Sequence, residues 1–136
     1  MKKTILMTIM SFSTFVGMTQ SKGIPSEIKA KFVVAYPKAT EVKYMKEGKK
    51  FEVEFTNEGK KMSADLDAKG NITETEITIK SSDLPKVVQE YLTKNLKGKK
   101  IKEAAEITNA KGMKKFEAEV GGKDYIFDEK GNLLKN

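Results

Sequence analysis

Residues 50–55 read KFEVEF and residues 115–120 read KFEAEV, with apolar and acidic positions in strict alternation. A period of two marks a strand with one buried face. Phe51, Val53 and Phe55 therefore point inward, as do Phe116, Ala118 and Val120, while Glu52, Glu54, Glu117 and Glu119 point outward. Upstream of each strand the period changes. IPSEIKAKFVVAYP, from Ile24, spaces Ile28, Phe32 and Tyr36 at i, i+4, i+8 behind Pro25. LPKVVQEYLTKNL, from Leu84, spaces Val88, Leu92 and Leu96 the same way behind Pro85. That spacing predicts an amphipathic helix with proline in its first turn. Pro37 stops the first helix and Gly98 is placed to end the second.

Further strands flank the alternating ones: TEVKYMKEGKK and KKMSADLD around the first, KEAAEITNAKGMKK and KDYIFD around the second. EGK, NEG, AKG and VGGK supply the glycines of the intervening turns. The stretch DAKGN at 67–71 returns as DEKGN at 128–132. A calcium loop would place an oxygen ligand two residues after the first aspartate, but Lys69 and Lys130 stand there. A hairpin turn accounts for every residue: Asp67 and Asp128 bond turn amides, Gly70 and Gly131 take positive φ, and Asn71 and Asn132 re-enter the strand. The expected fold is α+β, with two tandem repeats at 22–80 and 81–136, each a helix packed on a four-stranded antiparallel meander. A single copy of about 55–60 residues would bury only a marginal core. Two copies packed together are the more comfortable solution.

The N-terminus adds a compartment. Lys2 and Lys3 precede an uncharged, mostly apolar stretch from Thr4 to about Met18, followed by small and polar residues. This is the order of a secretory signal, assigned here to residues 1–21, and the apolar part is short and rich in Ser and Thr for a spanning helix. The protein is thus expected to be exported, periplasmic or extracellular, with no stable membrane insertion after cleavage. Cys, His and Trp are absent and all 26 basic residues are lysines. There is no thiolate, no lipid-modified cysteine, no imidazole base and no histidine ligand for zinc. Lysine lacks the planar fork with which arginine reads phosphate, so nucleic acid is not expected as a partner.

The helices behind Pro25 and Pro85, the element Tyr36-Pro37-Lys38-Ala39, the strand Lys50–Phe55 and the turn Asp67–Asn71 together resemble the PepSY-like domains, also called β-lactamase-inhibitor-like, of small exported bacterial proteins. The likeness runs from Ile24 to Lys135. It departs at Leu96-Lys97-Gly98, where the second copy lacks the Tyr-Pro element. The resemblance implies a fold similar to the β-lactamase inhibitory protein, whose repeats form a concave eight-stranded surface that grips an enzyme. Most members have no assigned activity, and no residue here matches an inhibitory loop.

The outward pairs Glu52/Glu54, Glu74/Glu76 and Glu117/Glu119 put carboxylates about 7 Å apart on a strand face, a separation at which glycosidases hold an acid and a base. A solvated sheet face opposite lysines explains them more simply, and no apolar surround is apparent there to raise a pKa. No catalytic, cofactor-binding or metal-binding residue is assigned. Lysine pairs at the turns keep hairpin ends soluble and guard edges. Met45, outward on the first strand beside an inward Tyr44, joins Glu52, Glu54, Glu117 and Glu119 as the candidate partner-binding set. Tyr91, one residue off the helix stripe, is a candidate for the join between repeats. The expected role is a non-enzymatic module binding a protein or peptide through its sheet surfaces, with an inhibitor or chaperone-like partner of a secreted hydrolase as the alternative. The scarcity of outward aromatics and the lack of Arg count against the inhibitor.

Overall fold

The computed structural model describes residues 23–135; the expected signal segment lies outside them. Helix α1 (Ser26–Ala35) leads into strands β1 (Thr40–Glu47), β2 (Lys50–Asn57), β3 (Lys60–Leu66) and β4 (Ile72–Ile79). A short 3-10 turn at Ser81–Asp83 precedes helix α2 (Lys86–Asn95) and strands β5 (Ile101–Asn109), β6 (Lys114–Val120), β7 (Lys123–Asp128) and β8 (Leu133–Lys135). The order helix-then-four-strands therefore runs twice.

The expectation of two separate four-stranded sheets is corrected. All the strands form one eight-stranded antiparallel sheet in sequence order. The join is β4 to β5, in register from Glu74↔Asn109 to Ile79↔Ala104, and the amide of Ala110 extends it by donating to the Thr73 carbonyl at 2.8 Å. Left at an edge, the long β4 would present a row of unpaired N–H and C=O groups; pairing with β5 satisfies them.

Both helices lie on the same face of this sheet. Ile28 and Phe32 of α1 cover Phe51, Val53, Phe55, Met62, Ala64 and Leu66. Val88 and Leu92 of α2 cover Phe116, Ala118, Val120, Tyr125 and Phe127. The ring of Phe32 stands edge-on to Phe55 with centroids 4.9 Å apart, and burying such a side chain contributes about 1.5–3 kcal/mol. Tyr44 is half-buried in the first core, edge-on to Phe32. Tyr91 does not mark a join: its ring packs on Phe127 at 5.2 Å, within the second core. Pro25 and Pro85 sit one residue before their helices, and their carbonyls accept the first helical amides.

The recurring turns are anchored to the helices. Asp67 Oδ1 accepts from the amides of Lys69 and Asn71, and its Oδ2 accepts from Asn71 Nδ2. Asp128 does the same with Lys130 and Asn132. Gly131 has φ +83, and a Cβ built on it would lie 2.6 Å from Val87 Cγ2 on α2. Gly70, also at φ +83, would place a Cβ 2.8 Å from Lys31 Cδ and 3.3 Å from Ile28 Cδ1 on α1. Glycine is thus needed twice over, for the turn's handedness and for the helix that rests on it.

Candidate functional site

Among the described residues, the other face of the sheet carries no helix. Ladder register assigns its side chains: Met45 lies opposite Glu52, Lys43 opposite Glu54, Ala105 opposite Glu117 and Glu103 opposite Glu119. All five candidate residues, Met45, Glu52, Glu54, Glu117 and Glu119, therefore share this helix-free face. They do not form one cluster. Met45, Glu52 and Glu54 sit on β1 and β2, whereas Glu117 and Glu119 sit on β6, four strands away from β2 at about 4.8 Å per strand.

What lies around them departs from a solvated face. Glu52, Glu117 and Glu119 are 6%, 6% and 7% exposed. The apolar surround that alternation failed to reveal is present: Ala105, Ile107 and Ile126 are all buried, belong to neither helix-covered core, and stand on this face beside Glu117 and Lys115. A signal for them exists in the sequence. Tyr125-Ile126-Phe127 is a run of consecutive apolar residues, and Ala104-Ala105 another; such runs mark strands buried on both sides.

Carboxyls also face one another directly. Glu52, Asp65 and Glu74 form one row across β2, β3 and β4. Glu103, Glu119 and Asp124 form a second across β5, β6 and β7. Like charges directly opposite on a sheet are destabilising, and burial together with like charge pushes part of this set toward the protonated form. Burial first, then the charges of Glu47, Asp65 and Glu54, push Glu52 up to about 8. Burial, then Glu76, Asp124 and Glu119, push Glu117 up to about 8. Glu76 rises to about 7 through burial and its neighbours Glu74 and Asp65. Burial also raises Asp65, Glu74 and Asp124. Glu119 is held differently, by Lys102 Nζ at 3.1 Å. Glu117 Oε2 is buried with no hydrogen-bond partner among the described residues.

Chemically, such a face can hold protons and attract cations. The acids stand in rows, and no three among the described residues converge as a metal would need. A cavity of about 290 Å³ lies on the opposite, helix-bearing side, lined by Ser81, Gln89, Leu92, Leu96, Lys99 and Val120 among others. The raised carboxyls and the cavity are thus separated by the sheet.

A family model described as beta-lactamase-inhibitor-like, PepSY-like matches residues 18–73 and again residues 49–135. The chain belongs to the PepSY-like family. The two overlapping matches accord with the element order that runs twice through helix and four strands. No curated protein matches the chain. Among solved structures, this PepSY-like chain is similar to a DUF2874 family protein from Bacteroides uniformis, with TM-score 0.74 and 15% identity over 82% of this chain and 87% of that one. It is similar to a BLIP-like protein from Bacteroides fragilis, with TM-score 0.67 and 22% identity over 82% and 83%. A third, from Bacteroides eggerthii, is described as among "putative periplasmic proteins", with TM-score 0.75 and 12% identity over 82% and 86%. At these identities the likeness is one of fold. No helix among the described residues is long and apolar enough to cross a membrane.

Proposed function

We propose that the protein is exported and non-enzymatic, and that it binds a protein or peptide through the helix-free face of its sheet. On this reading Met45, Glu52, Glu54, Glu117 and Glu119 belong to the contact surface. One observation carries it: directly opposed carboxyls, partly buried and only in part matched by lysines, span a face that no other layer covers among the described residues. Folded proteins break a local rule of sheet design chiefly where function requires it. Export draws support from the apolar N-terminal stretch and from the description of the Bacteroides eggerthii neighbour. The narrower reading, an inhibitor of a secreted hydrolase, draws only on the likeness to a BLIP-like protein.

The test is a pull-down from the exported fraction with two surface variants. Met45→Lys combined with Glu54→Lys alters the helix-free face, and Val34→Lys alters the 82% exposed position on α1. A stoichiometric partner lost only with the first variant supports the binding face. A partner lost only with the second overturns it.

A further inference from the structure

The two halves of the fold differ under the C-terminal ends of their helices. In the first half four rings meet there: Phe32 and Tyr36 at the end of α1, Tyr44 of β1 and Phe55 of β2. Phe55 lies 4.9 Å from Phe32 and 4.6 Å from Tyr36 between ring centroids. The second half has Leu92, Leu96, Ala104 and Val120 at the matching positions. Tyr36 and Leu96 each follow their helix, with an amide donating to the Phe32 and Leu92 carbonyl respectively. Tyr44 and Ala104 stand opposite Val53 and Ala118, two residues before Phe55 and Val120. Four rings are thus replaced by smaller aliphatic groups. The cavity of about 290 Å³ opens at this place, with Leu92, Leu96, Ile101 and Val120 in its lining.

The mouth of the cavity differs as well. Ala39 and Lys99 match, their amides donating to the Tyr36 and Leu96 carbonyls, both at 3.1 Å. A methyl group in the first half is therefore an ammonium in the second. The first half's own loop lysine, Lys38, pairs with Glu58 of the β2–β3 turn at 3.8 Å. The corresponding turn between β6 and β7 is Gly121-Gly122, without an acid. Lys99 lies over it, its Cδ and Nζ 3.6 and 3.7 Å from where a Gly121 Cβ would stand. Among the described residues Lys99 takes part in no ion pair. On the other side of the cavity, Gln89 Nε2 donates to the carbonyls of Ser82 and Leu84 at 3.2 and 2.7 Å, which ties the 3-10 turn to α2.

We propose that this cavity binds a small aromatic carboxylate, its ring against Leu92, Leu96, Ile101 and Val120 and its acid group at Lys99 Nζ. The ring takes the place that Tyr36 and Phe55 fill in the first half. An apolar cavity of about 150 Å³ takes up benzene, so about 290 Å³ accommodates a ring with a short acidic arm. The carboxylate stays at the open side, where it keeps part of its hydration and gains an unpaired cation. Lys97 and Lys100 flank Lys99 in the chain and add to the field that draws an anion in. The site lies on the helix-bearing side and stands or falls independently of the helix-free face.

The experiment is NMR titration of the nitrogen-labelled protein with phenylpropionate, phenylpropanol and hexanoate at neutral pH. The proposal expects the amides of Leu92, Leu96, Ile101, Val120 and Gly121 to shift with phenylpropionate and to saturate below about 20 mM, within reach of a ligand of this size. Phenylpropanol, without the charge, should bind about threefold more weakly, the worth of one exposed charge pair. Hexanoate, without the ring, should also bind more weakly. Leu96→Tyr combined with Val120→Phe restores the first half's rings and should weaken phenylpropionate at least about tenfold, with native far-UV circular dichroism. Lys99→Met, at an exposed position, should weaken phenylpropionate about threefold and leave phenylpropanol unchanged. That arm keeps the test decisive if the filled variant does not fold. Absence of shifts at these residues overturns the proposal, as does equal binding of phenylpropanol or of hexanoate. Undiminished binding by the folded filled variant, or by Lys99→Met, overturns it too.

Discussion

Replacing Glu117 by glutamine should make the protein more stable at alkaline pH and leave it little changed near pH 5. Burial and the charges of Glu76, Asp124 and Glu119 push this carboxyl from an ordinary 4.5 up to about 8. The folded state therefore keeps a proton that the unfolded chain releases. The stabilisation linked to that proton is fully present below about pH 4.5 and is lost as pH rises toward 8. The loss runs at about 1.4 kcal/mol per pH unit, which over this window is at most about 5 kcal/mol. Because Glu117 shares a hydrogen bond with Asp124 and titrates together with its neighbours, about half of that is a realistic share. Glutamine keeps the shape and one donor toward Asp124 but has no proton to lose. Urea denaturation followed by far-UV circular dichroism, the natural probe for a chain without tryptophan, should show the variant about 2–3 kcal/mol more stable at pH 8 and within about 1 kcal/mol at pH 5. Parallel stability-against-pH curves for the two proteins, or a variant weaker at pH 8, would refute the reasoning.

Three further outcomes follow. Carboxyl-carbon NMR titration should place Glu52 and Glu117 near 8 and Glu76 near 7, with Asp67 and Asp128 below the usual aspartate range because turn hydrogen bonds favour their charged forms. Ordinary values for the glutamates would contradict the buried face. Gly131→Ala should cost about 2–3 kcal/mol and Gly70→Ala less, since the first meets the stiff branched Val87 at 2.6 Å and the second first meets the flexible end of Lys31 at 2.8 Å; thermal denaturation of both variants gives the order. Phe32→Ala, at a position 1% exposed, should cost about 3–5 kcal/mol, and a loss below about 1 kcal/mol would show that α1 contributes little to the fold.

The helices and the central strands are legible because their periodicities are local. Phe51-Val53-Phe55 and Ile28-Phe32 state their inward faces within a few residues. Asp67 and Asp128 state their turns the same way, and Asn109 plays a similar part by accepting from the amides of Lys111 and Met113. The joining of β4 to β5 is not legible, since an interior strand and an edge strand are spelled with the same alternation; NITETEITIK fits both. The burial of the acid face is illegible for a related reason. Alternation says that Glu52 and Glu117 leave the helix side, but whether they meet water depends on the side chains of the adjoining strands, Met45 and Asp65 beside Glu52 and Ala105 and Ile126 beside Glu117. Opposed acids such as Asp65 and Glu74 become visible only once register is known.

The seam at β4 and β5 has a consequence for the halves taken singly. A front half released after Lys80 would expose the margin from Glu74 to Ile79 that β5 now occupies. β5 stands in the second half where β1 stands in the first, so the seam joins the last strand of one half to the first strand of the next. A front half alone would therefore keep one open margin, and a series of such halves would join head to tail rather than as a closed pair.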